Sequence, residues 1–152
     1  MTAEIQRSSK STDGVIFTYG TQNVGLSCYI KDNQLVFDYN IYTNHHVVRS
    51  ERTVPTGECT IGVNFRRIDN NGTITLLIDS EECGTIHTPS VLRMISASGM
   101  QIGKNNLSAV TNDYKSPFEF KGIIKKVNFK LLRYKPKPED NQNRFNAEMA
   151  KQ

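Results

Sequence analysis

The feature that most constrains the fold of this chain is a repeated alternation of apolar and polar residues. Ile74, Leu76 and Ile78 occupy every second position of the run from Thr73 to Asp79. The segments 35–39 and 61–65 repeat the pattern with Leu35, Phe37, Tyr39, Ile61, Val63 and Phe65. A period of two places such side chains on one face of a β-strand, whereas a helix would need a period near 3.6. The chain is therefore predicted to form half-buried strands.

Short turn signals separate these runs. Lys31-Asp32-Asn33-Gln34 and Asp69-Asn70-Asn71-Gly72 each stand between two apolar runs, and Asp, Asn and Gly tolerate the left-handed conformations of tight hairpins. Pro55-Thr56-Gly57 marks another break. Strands are predicted near 2–7, 14–20, 24–31, 34–40, 45–50, 58–66, 73–79, 82–87, 91–96, 100–104 and 119–132. Many short strands with short connections indicate an all-β, antiparallel sandwich or barrel.

The length of 152 residues fits one domain. A β-sandwich domain is predicted over residues 1–132, with a long loop at 103–117 where the alternation stops. Residues 133–152 form a polar tail whose Tyr134-Lys-Pro-Lys-Pro138 run favours an extended conformation. A short helix is predicted over 139–151, with Phe145 and Met149 four residues apart on one face.

Composition excludes several classes of partner and compartment. No apolar run approaches the roughly 20 residues of a membrane span, and the first residues lack the apolar segment of a signal peptide. The net charge of +4 is small, and its lysines do not form the clustered basic face that nucleic-acid binding requires. We therefore predict neither a membrane nor a nucleic-acid partner. Cys28, Cys59 and Cys83 are predicted to be reduced, which weakly favours the cytoplasm, although a parent protein in the periplasm fits as well.

The usual motifs of catalysis and metal binding are absent from the sequence. It contains no G-x-S-x-G, P-loop or H-E-x-x-H pattern. The adjacent His45 and His46 would point to opposite faces of a strand, so they are poorly placed to share a metal ion. Glu81 and Glu82 are interpreted as solvated charges at a turn. No catalytic residue, cofactor or metal site is predicted.

Aromatic and amide side chains instead suggest a binding surface. Sugars are commonly bound by aromatic faces against the ring, with amide and carboxylate groups on the hydroxyls. The candidate ligand-binding residues are Tyr39, Asn40, Tyr42, Asp113 and Tyr114. The alternative is that these tyrosines pack at sheet edges or bond to the backbone.

An ordered set of motifs resembles a known domain. The set comprises Gly25, Tyr29-Ile-Lys-Asp32, Leu35-Val-Phe-Asp-Tyr-Asn40, Pro55-Thr-Gly57, Ile61-Gly-Val-Asn-Phe65, Gly72-Thr73, Asp113-Tyr-Lys-Ser-Pro-Phe118 and Phe120-Lys-Gly-Ile-Ile-Lys-Lys-Val127. In this order the motifs resemble the C-terminal β-sandwich domain of bacterial arylsulfatases, from about Thr2 to Leu132. The resemblance implies a concanavalin A-like jelly roll of two packed antiparallel sheets. It also implies that strand 2–7 pairs near Ile123–Leu131.

The resemblance does not extend to catalysis. Sulfatases carry a Cys-x-Pro-x-Arg or Ser-x-Pro-x-Arg signature in a separate large domain, and none of the three cysteines here fits it. The family pattern Gly-Arg-Asp is also replaced by Gly103-Lys104-Asn105. The resemblance therefore implies an accessory role and no active site.

Three functions follow from these observations. The first is a non-catalytic accessory domain that packs on an arylsulfatase catalytic domain or mediates self-association. The second is a stand-alone lectin-like module with a glycan as partner. The third, a small glucanase on the same fold, would need two carboxylates about 5–9 Å apart in a groove.

Overall fold

The chain folds into two packed β-sheets, which confirms the predicted all-β sandwich. The computed structural model describes residues 1–68, 71–88 and 98–131. The predicted strand 91–96, the tail 133–152 and its helix 139–151 lie outside these residues. The strands are β1 Thr2–Arg7, β2 Gly14–Gly20, β3 Val24–Lys31, β4 Gln34–Ile41, β5 Asn44–Thr53, β6 Gly57–Ile68, β7 Asn71–Ile78, β8 Glu81–Thr88, β9 Met100–Ile102, β10 Lys104–Asn105, β11 Phe118–Glu119 and β12 Ile123–Asn128.

The first sheet has the order β12-β1-β6-β7-β8, and all its neighbours are antiparallel. Strand β1 pairs with β12, as the resemblance implied. The second sheet has the order β10-β11-β2-β3-β4-β5, with β9 also paired to β2. Strand β11 pairs with β2 in parallel. The part of the chain that the structure describes contains no helix that could span a membrane.

The predicted strands 100–104 and 119–132 are wrong in their extent. Gly103 interrupts the first with a φ of 75°, which separates β9 from β10. The second is divided because β11 belongs to the second sheet and β12 to the first. Between them, the Phe120 amide donates to the Gly103 carbonyl and the Lys121 amide to the Asp13 carbonyl. The chain crosses the edge of the sandwich here, so one continuous strand is impossible.

Within the described ranges, three hairpins turn through two consecutive residues with positive φ. They are Asp32-Asn33, Tyr42-Thr43 and Asp79-Ser80. Two such residues form the turn that matches the twist of antiparallel strands. The first of these hairpins confirms the turn predicted at Lys31-Asp32-Asn33-Gln34, since Asn and Asp tolerate this conformation.

The main core lies between the sheets and is built from the alternating residues. It includes Phe37 and Tyr39 of β4, Ile61 of β6, and Ile74 and Leu76 of β7. The three cysteines are free and buried. Burial raises the pKa of the Cys59 thiol to about 11, so this thiol is almost entirely protonated at neutral pH.

A second, smaller apolar cluster lies on the opposite face of the second sheet. Val15, Tyr29 and Val36 of this face pack against Tyr114. Tyr114 belongs to the segment 106–117 between β10 and β11, which we call the covering loop. Because this loop lies over the outer face, polar side chains on that face become buried, and they form the candidate site.

Candidate functional site

Strand alternation places the polar residues of β4 and β5 on the outer face of the second sheet. Phe37 and Val48 point into the main core, so Asp38 on β4 and the trio His45, Val47 and Arg49 on β5 point outward. Asp38 pairs with Val47 in the register. His45 is therefore the diagonal neighbour of Asp38, a separation that long side chains can bridge.

These side chains and the covering loop enclose a shallow pocket of about 260 Å³. The sheet contributes the four outward residues of β4 and β5 together with Tyr29 of β3. The loop contributes Thr111, Asn112 and Asp113. Every lining residue except Val47 therefore carries a polar group.

A chain of polar contacts runs from the floor of the pocket to its rim. The side chain of Asp38 is 1% exposed, and its Oδ2 lies 2.8 Å from Nδ1 of His45. The other ring nitrogen, Nε2, lies 3.1 Å from the amide nitrogen of Asn112 on the exposed rim. Asp38 therefore orients the His45 ring from beneath, and Asn112 holds it from above.

The two carboxylate oxygens of Asp38 have different surroundings. Oδ1 is buried and has no hydrogen-bond partner within the described part of the chain. Burial raises the pKa of Asp38, although the neighbouring Thr111 hydroxyl and His45 ring act in the opposite direction. A buried acceptor without a donor is costly, so this oxygen is a point at which a ligand donor would be stabilising.

Asp113 has the opposite environment, because its carboxylate is surrounded by donors. Oδ2 accepts from the Tyr29 hydroxyl at 2.8 Å and from Nη2 of Arg49 at 2.6 Å. Nζ of Lys31 lies 3.4 Å from Oδ1 and also donates to the Asp113 carbonyl. Burial acts to raise the pKa of Asp113, but the bonds from Tyr29 and Arg49 and the two positive charges outweigh it and hold the pKa below its usual range.

The replacement Asp113→Asn should destabilise the protein in a pH-dependent way. At pH 7 we expect a loss of about 1–2 kcal/mol in the free energy of unfolding, since charge-assisted bonds are removed from a partly exposed group. A depressed folded-state pKa stabilises the fold above the unfolded value of about 3.9, and this contribution disappears as the pH falls through the folded value. Urea unfolding of both proteins at pH 7 and below pH 4 measures the difference, which should shrink in acid.

Asp32→Asn is the control for this prediction, since Asp32 is an exposed turn residue in a conformation that Asn also tolerates. It should leave the unfolding free energy within about 0.5 kcal/mol of the unmodified protein. An Asp113→Asn effect that stays constant with pH would contradict the proposed role of the carboxylate charge.

The five predicted ligand-binding residues do not form one site in the structure. Asp113 lines the pocket. Asn40 is fully buried, and its amide nitrogen donates to the carbonyls of Gln22 and Val110. Tyr114 is buried and supports the covering loop from within. Tyr42 is 73% exposed at the tip of the β4–β5 hairpin and is not among the residues that line the pocket.

The expectation for Tyr39 is corrected. Its side chain is 1% exposed, and its ring contacts Phe65 edge-on at 5.1 Å inside the main core. Strand alternation causes this, since Tyr39 shares a face with Leu35 and Phe37. A ligand in solution cannot stack on a ring in this position.

Sequence reasoning missed Asp38, His45 and Arg49 as binding residues. All three carry a signal in the sequence, because alternation directs them away from the core face of predicted strands. Asn112 belongs to the loop segment 112–114, whose amide, carboxylate and phenol groups suit a binding surface, but its position beside His45 depends on how the covering loop folds back. No group of three or more His, Cys, Asp or Glu side chains in the described ranges is arranged to hold a metal ion.

Comparison with known proteins identifies one family. Residues 7–131 match the family model of the laminin G domain. This span includes every residue of the pocket. A search of curated proteins finds no match to the chain.

Proposed function

Because the chain belongs to the laminin G domain family, which has a concanavalin A-like sandwich fold, we propose that it is a non-catalytic, lectin-like module that binds carbohydrate. Domains of this family are generally carbohydrate- or ligand-binding and generally non-catalytic. The observation that carries the proposal is the polar pocket on the outer face of the second sheet, in which Asp38, His45 and Asn112 form a connected chain.

The chemistry of the pocket supports binding rather than bond cleavage. Glycoside hydrolysis needs one carboxylic acid that can reach the leaving group and one free carboxylate. Asp38 is almost completely buried. Asp113 is already bonded to Tyr29 and Arg49. Since Asp113 is already paired, the pocket does not supply two free carboxylates, so the glucanase alternative has little support from it.

A glycan array tests the proposal directly. The full chain should bind at least one class of immobilised glycan, and His45→Ala should abolish the signal because it removes the centre of the polar chain. The control is His87→Ala, since His87 is an exposed histidine on β8, in the other sheet. Thermal unfolding of both variants, measured in parallel, separates a loss of binding from a loss of fold. Absence of binding to every glycan, or equal binding by His45→Ala while folded, would refute the proposal.

An accessory role remains the second candidate function. Its support is the edge of the sandwich near β9 and β12, where Met100, Ile102 and Ile123 are about half exposed. Such side chains suit packing against another domain or a second copy. The arylsulfatase as partner rests on the sequence resemblance alone, and the comparisons do not link the chain to arylsulfatases. Turnover of a chromogenic aryl sulfate by the pure chain would contradict a non-catalytic role.

A further inference from the structure

The charges around the pocket cancel. Asp113 is paired with Arg49 and Lys31, and Asp38 is paired with the His45 ring. The two carboxylates, Asp38 and Asp113, thus face two permanent cations, Arg49 and Lys31. An anionic ligand would have to compete with Asp113 for Arg49, and a cationic ligand would have to compete with Arg49 for Asp113. Neither gains net Coulombic attraction, since each site charge is already matched.

The polar groups that remain suit a hydroxyl. Among the residues that the structure describes, none donates to Oδ1 of Asp38, while Asn112 on the rim and the partly exposed guanidinium of Arg49 offer donors. A hydroxyl both donates and accepts, so one group can bond to a carboxylate and to an amide or guanidinium at once. A ligand with neighbouring hydroxyls would therefore use both kinds of partner.

The size and wall of the pocket limit the ligand further. The volume of about 260 Å³ is below the range of roughly 300–1,000 Å³ that is typical of sites for drug-sized molecules. Val47 is 36% exposed and provides a small apolar wall. The aromatic rings nearby, Tyr29 and Tyr114, are buried and offer no face for stacking. The pocket suits one ring with a small apolar face.

We propose that this pocket binds a single neutral sugar ring through neighbouring hydroxyls, with Asp38 as the acceptor at the floor and Asn112 and Arg49 as donors at the rim. The inference rests on the proposed function and adds to it the ligand class and the direction of the hydrogen bonds. The inference excludes uronic acids and amino sugars as preferred ligands, because the paired charges of the pocket attract neither an anion nor a cation.

Titration of the ¹⁵N-labelled full chain, followed by NMR, tests the inference. The probes are the methyl glycosides of glucose, galactose and mannose, with glucuronate and glucosamine as charged counterparts. At least one neutral glycoside should shift the amides of residues 45–49 and 111–113. Glucuronate and glucosamine should bind about tenfold more weakly or not at all. Raising NaCl from about 0.05 to about 0.5 M should leave the Kd of the neutral glycoside unchanged, because no net charge is involved.

Two variants test the assigned residues. Asp38→Asn keeps the shape but replaces one carboxylate oxygen by an NH₂ donor, and Asn112→Ala removes the exposed amide at the rim. Each should raise the Kd of the neutral glycoside by about tenfold, the effect of one lost hydrogen bond. Glu51→Gln, an exposed carboxylate on the same strand β5, should leave the Kd unchanged. If Asp38→Asn does not fold, Asn112→Ala alone decides.

Each negative result of these experiments would overturn a different claim. Tighter binding of glucuronate or glucosamine would overturn the neutral-ligand inference while leaving carbohydrate binding in place. Binding of a neutral glycoside that neither variant weakens would overturn the assignment to this pocket. Absence of binding to any of the five probes, together with a blank glycan array, would overturn the proposed function itself.

Discussion

Arg7→Met should lower the free energy of unfolding by about 3–5 kcal/mol. The Arg7 side chain is 1% exposed at the end of β1. Its guanidinium donates to the carbonyls of Lys10, Thr12 and Val54 and to the side-chain oxygen of Asn33. Methionine has a similar length but no donor, so these acceptors would lose their partner together. Urea denaturation at pH 7 measures the loss.

The size of this effect follows from what Arg7 connects. Its four acceptors lie on three segments of the chain: the β1–β2 connection, the β3–β4 turn and the start of the β5–β6 connection. Arg66→Met is the matched control, because Arg66 is exposed on β6. It should change the unfolding free energy by less than about 0.5 kcal/mol. Equal effects of the two replacements would show that the buried hydrogen bonds contribute nothing.

Tyr114→Ala should cost about 3 kcal/mol or more, because it empties a buried aromatic site. The ring stacks on Phe118 with the centroids 4.5 Å apart and meets Tyr29 edge-on at 5.1 Å. Its hydroxyl lies 2.9 Å from that of Ser27 and accepts from the amide of Asn105 at 3.0 Å. Since this side chain anchors the covering loop, the variant should also lose the pocket. Hydrogen exchange in 106–117 and sugar binding measure both effects.

Two replacements calibrate this prediction. Tyr114→Phe keeps the ring and removes the hydroxyl, so it should cost about 1 kcal/mol and preserve binding. Tyr42→Ala removes an exposed tyrosine at a hairpin tip and should be nearly neutral. A covering loop that keeps its amide protection in Tyr114→Ala would contradict the anchoring role.

The family comparison and the sequence resemblance agree on the fold and differ on the biological context. Both lead to a concanavalin A-like sandwich, because the spacing of strands and turns is what they share. The arylsulfatase context depended on ordered motifs such as Asp113-Tyr-Lys-Ser-Pro-Phe118. In the structure, Tyr114 and Phe118 stack on the outer face of the second sheet. This motif therefore anchors the covering loop. Asn105, which replaces an acidic residue of the arylsulfatase pattern, bonds to Tyr114 in the same cluster.

Much of the fold was predictable because its physical signal is local. Alternation identified the strands of both sheets, and Asp32-Asn33 identified a hairpin turn. The strand errors fell where Gly103 separates β9 from β10 and where the chain passes from β11 in one sheet to β12 in the other, since neither break leaves a periodic signal. For Tyr39, alternation and the expectation of ligand binding disagree. This residue shares a strand face with Leu35 and Phe37, so alternation alone placed it in the core and out of reach of a ligand.

The sequence by itself determined which side chains share a strand face, and therefore that Asp38 opposes the core and that His45 and His46 point apart. It did so because backbone geometry fixes the direction of successive side chains within a strand. Only the tertiary structure decided that the covering loop folds over the outer face, and that Asn112 and Asp113 meet residues more than 60 positions away. That contact depends on packing around Tyr114 between distant segments, which has no periodic signature in the sequence. The pocket forms where Asp38 and His45, whose directions are set by strand geometry, meet the covering loop, whose position is set by tertiary packing.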